Sequence, residues 1–196
     1  MPYACYADLA AKESEEWDYR VRCRKAASPY CIVAPHGGGI EPGTSEVADA
    51  VAGEDHSFYA FEGLKIRGNF ALHVTSRGFD EPRGLALVER AHTVLAVHGC
   101  GGEEIAVYVG GLNAALRARL EASLRAAGFT AEPHPKFPGT SPSNICNRCA
   151  GGAGVQMEIT RGLRALMFRG LAGPFRRHPT EVFHRFVAAV RAALEE

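Results

Sequence analysis

The apolar positions of this chain follow two rhythms. The segment "DYRVRCR" at 18–24 alternates polar and apolar residues, as a strand with one solvated face does. Residues 31–34, "HTVLAVHG" at 92–99, "EIAVYVGG" at 104–111 and "AGVQMEIT" at 153–160 are instead near-continuous apolar runs. They predict strands that are covered on both faces. Aromatic and β-branched residues separated by Gly and Asn predict two more strands, at 56–63 and 70–76. Between these runs lie helical patterns at 6–15, 43–53, 81–91, 112–128, about 160–169 and 180–194. The pattern at 43–53 offers Thr44 or Ser45 as a cap and a closing glycine. The clearest helix is 112–128, with Leu112, Leu116, Leu120 and Leu124 on one face and Gly128 as the stop.

Alternating strands and helices predict one α/β domain over residues 1–196, with a mixed, mostly parallel β-sheet flanked by helices. The Pro/Gly/Ser-rich stretch at 132–152 is long for a connection in such a domain, and loops of that length are often functional.

Composition narrows the partners. With 196 residues and 46% hydrophobic content the chain can bury a sizeable core. Lys+Arg and Asp+Glu balance at 22 each, which argues against a general nucleic-acid or membrane-surface binder. An anionic substrate in a local basic pocket remains compatible with that balance. The first twenty residues carry no basic-then-apolar leader pattern, and no apolar run reaches the length of a membrane span. A cytoplasmic protein with reduced thiols is expected, because six cysteines are too few for a disulfide scaffold of this size. A monomer is the expectation for its assembly.

The candidate chemistry gathers at strand ends. In open α/β sheets ligands sit beyond the carboxyl ends of the strands. The run at 31–34 delivers His36, a glycine bend and then Glu41; the run at 92–97 ends on His98; the last strand carries Glu158. Two histidines and a glutamate would supply the three protein ligands of a catalytic zinc, and a further carboxylate could move the proton of a water. The glycines at 37–39 are expected to turn the chain sharply and let it approach the metal. "CNRC" at 146–149 lacks a second cysteine pair, and neither "GCGG" nor "GGAG" has the ending of a phosphate loop. His73 and the pair Asp80–Glu81 are expected to play at most a supporting or substrate-facing part.

Several longer stretches carry a resemblance. "APHGGGIEPGTSE" (34–46), "SFYAFEG" (57–63), "LHVTS" with "FDEP" (72–82), "VHGCGG" (97–102), "NICNR" (144–148) and "GVQMEITRGLR" (154–164) resemble, in order, the phage-type poly-γ-glutamate hydrolases. The resemblance implies a zinc peptidase acting on γ-glutamyl linkages and a fold related to the zinc carboxypeptidases. It implies His36, Glu41 and His98 as the metal ligands and Glu158 as the general base. It also makes the substrate an anionic glutamyl polymer or peptide, for whose carboxylates arginine is the apt partner. Arg148 with Asn147 beside it is the first candidate, followed by Arg161 and Arg164. Two other readings stay open: an amidohydrolase of a small N-acyl or glutamyl amino acid, and a relative that binds a polyanion without cutting it. A phage origin would let a cytoplasmic product meet extracellular polymer after lysis.

Overall fold

The computed structural model describes residues 2–134 and 136–195. Its centre is a sheet whose strands are β1 (Tyr19–Arg24), β2 (Tyr30–Gly38), β3 (Ser57–Gly63), β4 (Thr93–Gly99), β5 (Ala106–Gly111), β6 (Thr130–Glu132) and β7 (Val155–Ile159). Their spatial order is β1-β3-β2-β4-β7-β5-β6. Pairing is parallel for β3–β2, β2–β4, β4–β7 and β5–β6, and antiparallel for β1–β3 and β7–β5. The sheet is therefore mixed and mostly parallel among the described residues, in agreement with the sequence pattern.

The helices are α1 (Tyr6–Ala10), α2 (Thr44–Ala52), α3 (Pro82–Val88), α4 (Ala114–Ala126), α5 (Arg161–Met167) and α6 (Glu181–Glu195). They cover both faces of the sheet, which explains the near-continuous apolar strands. On one face Ile32, Ala34, Leu95, Val97 and Met157 pack with α2, α4, α5 and α6. On the other, Cys31, Val33, Val94 and Ala96 pack with residues of α1 and α3 and with Ile145 and Cys146. Alternate residues of β2 and β4 thus enter alternate cores, as the two-residue period of a strand requires.

Local chemistry ends the elements where the sequence allows. Asn113 caps α4 by accepting from Leu116 N, Thr160 caps α5 by accepting from Leu163 N, and Glu81 caps α3 by accepting from Gly84 N. The capping of α4 leaves Leu112 outside the helix and partly exposed, so the buried stripe is Leu116, Leu120 and Leu124.

Two elements differ from the sequence expectation. Residues 70–76 form no strand. A single 3-10 turn spans Asn69–Leu72, because the Asn69 side chain accepts from Lys65 N at 3.0 Å and donates to Lys65 O at 2.6 Å, curling the chain. The short edge strand β6 falls where the sequence reads as the end of a helix running into a loop.

Candidate metal centre

The three adjacent parallel strands β2, β4 and β7 end on the same side of the sheet. Their ends carry the residues singled out from the sequence. His98 lies directly across the ladder from Glu158. His36 lies near the end of β2, where the register shifts between Ala34 and Gly37. The chain then folds back on itself. Glu41 N donates to His36 O at 2.9 Å, and Ile40 N donates to Gly37 O at 3.2 Å. That closure turns a five-residue separation into direct contact: His36 Nδ1 is 3.1 Å from Glu41 Oε1.

The glycine bend serves the backbone more than a metal. Gly38 sits at φ +63, and a Cβ there would meet Gly63 O at 2.6 Å. A Cβ on Gly37 would meet the Ser45 Cβ at 2.9 Å, and one on Gly39 would meet the Asn69 side-chain nitrogen at 2.4 Å. The expectation that these glycines clear the way to a metal is corrected: they let β2 pass close to β3, α2 and the 69–72 turn.

The cluster is tight and buried. His36 and His98 are almost fully buried, and one donor atom each from His36, Glu41 and His98 lies within 4.8 Å of the others. His36 Nε2 lies 2.6 Å from Val74 O. A carbonyl only accepts, so that nitrogen carries the proton and Nδ1 of a neutral His36 presents a lone pair. This Nδ1 faces Nδ1 of His98 at 3.1 Å, while Nε2 of His98 lies 3.4 Å from Ser76 Oγ. Two imidazole nitrogens and a carboxylate converge on one point. The donor set therefore fits a metal, with ring orientation fixed from outside by Val74 and Ser76.

Electrostatics agree. Burial would push the Glu41 carboxyl up, but the charge and hydrogen bonds of His36, with His73 and His98, hold it well below the usual carboxylate range. Burial lowers His36, outweighing the attraction of Glu41. For His98 the pull of Glu41 and Glu158 outweighs burial and the net shift is upward. Glu158 is raised by burial and by the charge of Glu41, with His98 opposing. It is the one carboxyl here that the fold keeps ready to hold a proton.

His73 belongs to the same cluster. Its ring stacks on His36 with centroids 3.8 Å apart and 25° between planes, and its Nε2 is 3.3 Å from Glu41 Oε1. It thus contacts both His36 and the Glu41 carboxylate. Asp80 and Glu81 serve the fold instead, accepting from Tyr6 N and capping α3.

A cavity of about 760 Å³ opens over the cluster. His36, Glu41, His98 and Glu158 all line it, so the four residues read as metal ligands and base are brought together. The four read as substrate-binding are not. Arg148 donates to Phe79 O at 3.1 Å and does not line the cavity. Asn147 is buried and clamps backbone, donating to Gly139 O at 2.7 Å and Ser141 O at 2.9 Å. Arg161 pairs with Glu103 on the surface. Arg164 is buried and donates to the carbonyls of Ile159, Pro42 and Cys100, pinning the loops beneath Gly99. The cations that do line the cavity are Arg77 and Lys136, accompanied by the exposed rings of Phe70 and Phe137. Nothing in the sequence marked them beyond the position of Lys136 in the long loop and of Arg77 directly after "LHVTS".

The cysteines are free thiols. Burial pushes the Cys146 thiol up to about 12, which is a packed residue and not a nucleophile.

Known proteins resemble this chain in sequence and fold. The chain is 42% identical to YndL of Bacillus subtilis (strain 168) over 170 residues, which is 85% of this chain and 66% of YndL. The structure of a bacteriophage poly-gamma-glutamate hydrolase superposes with a TM-score of 0.96 at 33% identity, covering 99% of this chain and 96% of that one. A zinc-free YndL structure superposes with a TM-score of 0.94 at 37% identity, covering 99% and 97%. The family model described as poly-gamma-glutamate hydrolase matches residues 3–189. The chain belongs to the poly-gamma-glutamate hydrolase family, a family of hydrolytic enzymes.

Proposed function

We propose that this chain is a zinc-dependent hydrolase of γ-glutamyl amide bonds, with poly-γ-glutamate as its substrate. The observation that carries the reading is the convergence of His36, Glu41 and His98 beside Glu158 in one cavity, in a chain of this family. The zinc-free YndL structure, similar over nearly the whole chain, supports the choice of metal.

His36 and His98 through Nδ1, with Glu41, would hold the ion; two histidines and a glutamate are a donor set of catalytic zinc. When bound, zinc supplies a Lewis acid and brings the pKa of water toward neutrality. The remaining steps belong to the chain. Glu158 takes a proton from the attacking water and returns it to the departing amine. Its raised pKa suits a group that must hold a proton between those two moments. His73 and the Gly99 N–H, which donates to Glu41 Oε2 at 2.8 Å, keep the ligand carboxylate still.

Substrate fit follows from the walls. Each γ-linked glutamyl unit carries one free carboxylate and two methylenes. Arg77 and Lys136 offer charge to the first, and Phe70 and Phe137 offer apolar surface to the second. Arg148, Arg161 and Arg164 keep no part in this proposal, since each is engaged elsewhere.

The test is the size distribution of poly-γ-glutamate after incubation with zinc-loaded protein, with chelated protein, and after zinc is restored. Shortening that vanishes and returns supports the reading. An intact polymer under the zinc-loaded protein refutes it, and small N-acyl and glutamyl amides then become the substrates to try.

A further inference from the structure

We infer that Gln156 is a positioning residue that ties the general base to the substrate-facing wall of the cavity. The inference rests on the functional reading above for the role of Glu158, and on geometry for the tie itself.

Gln156 and Glu158 are two residues apart on β7, so their side chains share a face of the strand. Gln156 is 3% exposed, and its amide is fully engaged. Nε2 donates to Phe137 O at 3.1 Å and to Glu158 Oε1 at 3.4 Å. Oε1 accepts from Asn144 Nδ2 at 2.8 Å. The orientation is fixed by partners of single character. The Phe137 carbonyl can only accept, and Asn144 Oδ1 already accepts from Cys146 N at 3.1 Å, which turns its Nδ2 toward Gln156. Gly139, at φ +67, packs its backbone on the same amide, so close that a Cβ would lie 2.6 Å from the amide carbon.

The wall formed by residues 136–141 sits in the long connection between β6 and β7. Asn147 and the Gly111 N–H, which donates to Pro138 O at 2.8 Å, also hold its backbone, but the contacts that reach both this wall and Glu158 come from Gln156. The residue thus sets the distance between the group that moves the proton and the surface that seats the substrate. A shift of that distance is costly, because catalysis needs near-attack geometry.

The experiment compares Q156L, which deletes all three hydrogen bonds, and Q156E, which keeps the shape but sets a carboxylate against Glu158 and the Phe137 carbonyl. Both are measured as zinc-loaded protein, alone and combined with E158Q. Readouts are zinc content, melting temperature, hydrogen–deuterium exchange over 136–144, and kcat and KM on poly-γ-glutamate. The tie predicts retained zinc, faster exchange over 136–144, a higher KM, and a kcat lower by about 10- to 100-fold. It also predicts that most of the kcat loss disappears in the E158Q background, since there is no base left to misplace. Unchanged exchange, an unchanged kcat in both folded variants, or an equal loss with and without Glu158 would overturn it. A wild-type protein that leaves the polymer intact counts against the functional reading alone; the exchange data then decide the tie by themselves.

Discussion

The two walls of the cavity are held by different forces. One is the strand-end wall of β2, β4 and β7, where His98 and Glu158 face each other on the parallel β4–β7 ladder and buried His36 sits at the register shift of β2. The other is made by residues 70–77 and 136–141: in the first, Ser76 O accepts from Ile145 N and Val74 O meets His36 Nε2, and in the second the side chains of Asn147 and Gln156 hold the carbonyls of Gly139, Ser141 and Phe137. The first wall carries the groups that must not move by a fraction of an ångström. The second carries exposed rings and cations, the groups proposed to meet the substrate. Loops positioned by a rigid scaffold can change specificity without disturbing the chemistry.

That contrast predicts a graded set of losses. On the proposed reading, replacing His36, Glu41 or His98 removes a ligand of the zinc. His98→Ala should reduce turnover to that of chelated protein, a loss of several kcal/mol of transition-state stabilisation. Metal analysis should find zinc largely absent from the folded variant. Glu158→Gln should keep zinc yet lower kcat by about 10²- to 10⁴-fold, the range for a general acid–base group. Zinc loss in that variant would move Glu158 among the ligands and blur the distinction between base and metal site.

The loop wall should respond in KM. Arg77→Gln and Lys136→Gln should each weaken polymer binding by roughly ten-fold, with kcat nearly unchanged and the difference shrinking at high salt. Arg148→Gln, a change outside the cavity, should leave KM unaltered; a rise there as large as for Arg77 would show that the wrong loop face has been assigned to substrate.

The smallest effect is on stability without metal. Burial raises the Glu158 pKa, so the folded state binds its proton more tightly than the unfolded chain does. Such a group costs stability once pH rises above the ordinary glutamate range, and the cost is fully developed above the folded pKa. Metal-free Glu158→Gln should therefore melt above metal-free wild type at neutral pH, with the gap closing as pH falls into the ordinary glutamate range. A thermal-melt series across pH reads both the sign and the window.

What the sequence made legible follows the same division. The strand-end wall was readable because ladders impose periodicity: apolar runs ending in His36 and His98 announced both strands and the chemistry at their tips. The five-residue spacing to Glu41 was readable as a pair brought into contact, although its closing bond, Glu41 N to His36 O, was not. The loop wall was opaque. Phe70, Val74 and Thr75 have strand-like side chains, yet the Asn69 turn outweighs that preference. Arg148 and Arg164 look like free cations in sequence, but backbone carbonyls claim them, and the taker of a donor is a property of the fold alone. Arg77 and Lys136 carry no periodic signal, because residues on loops are not placed by the packing of a strand or helix face.

The most direct measurement of the central claim is a zinc titration of metal-stripped protein, followed at each step by the chain length of poly-γ-glutamate. The account predicts cleavage that rises with bound zinc and saturates at one ion per chain, with His36→Ala flat throughout. Cleavage independent of zinc, or zinc bound at one per chain by the His36→Ala variant, would contradict it.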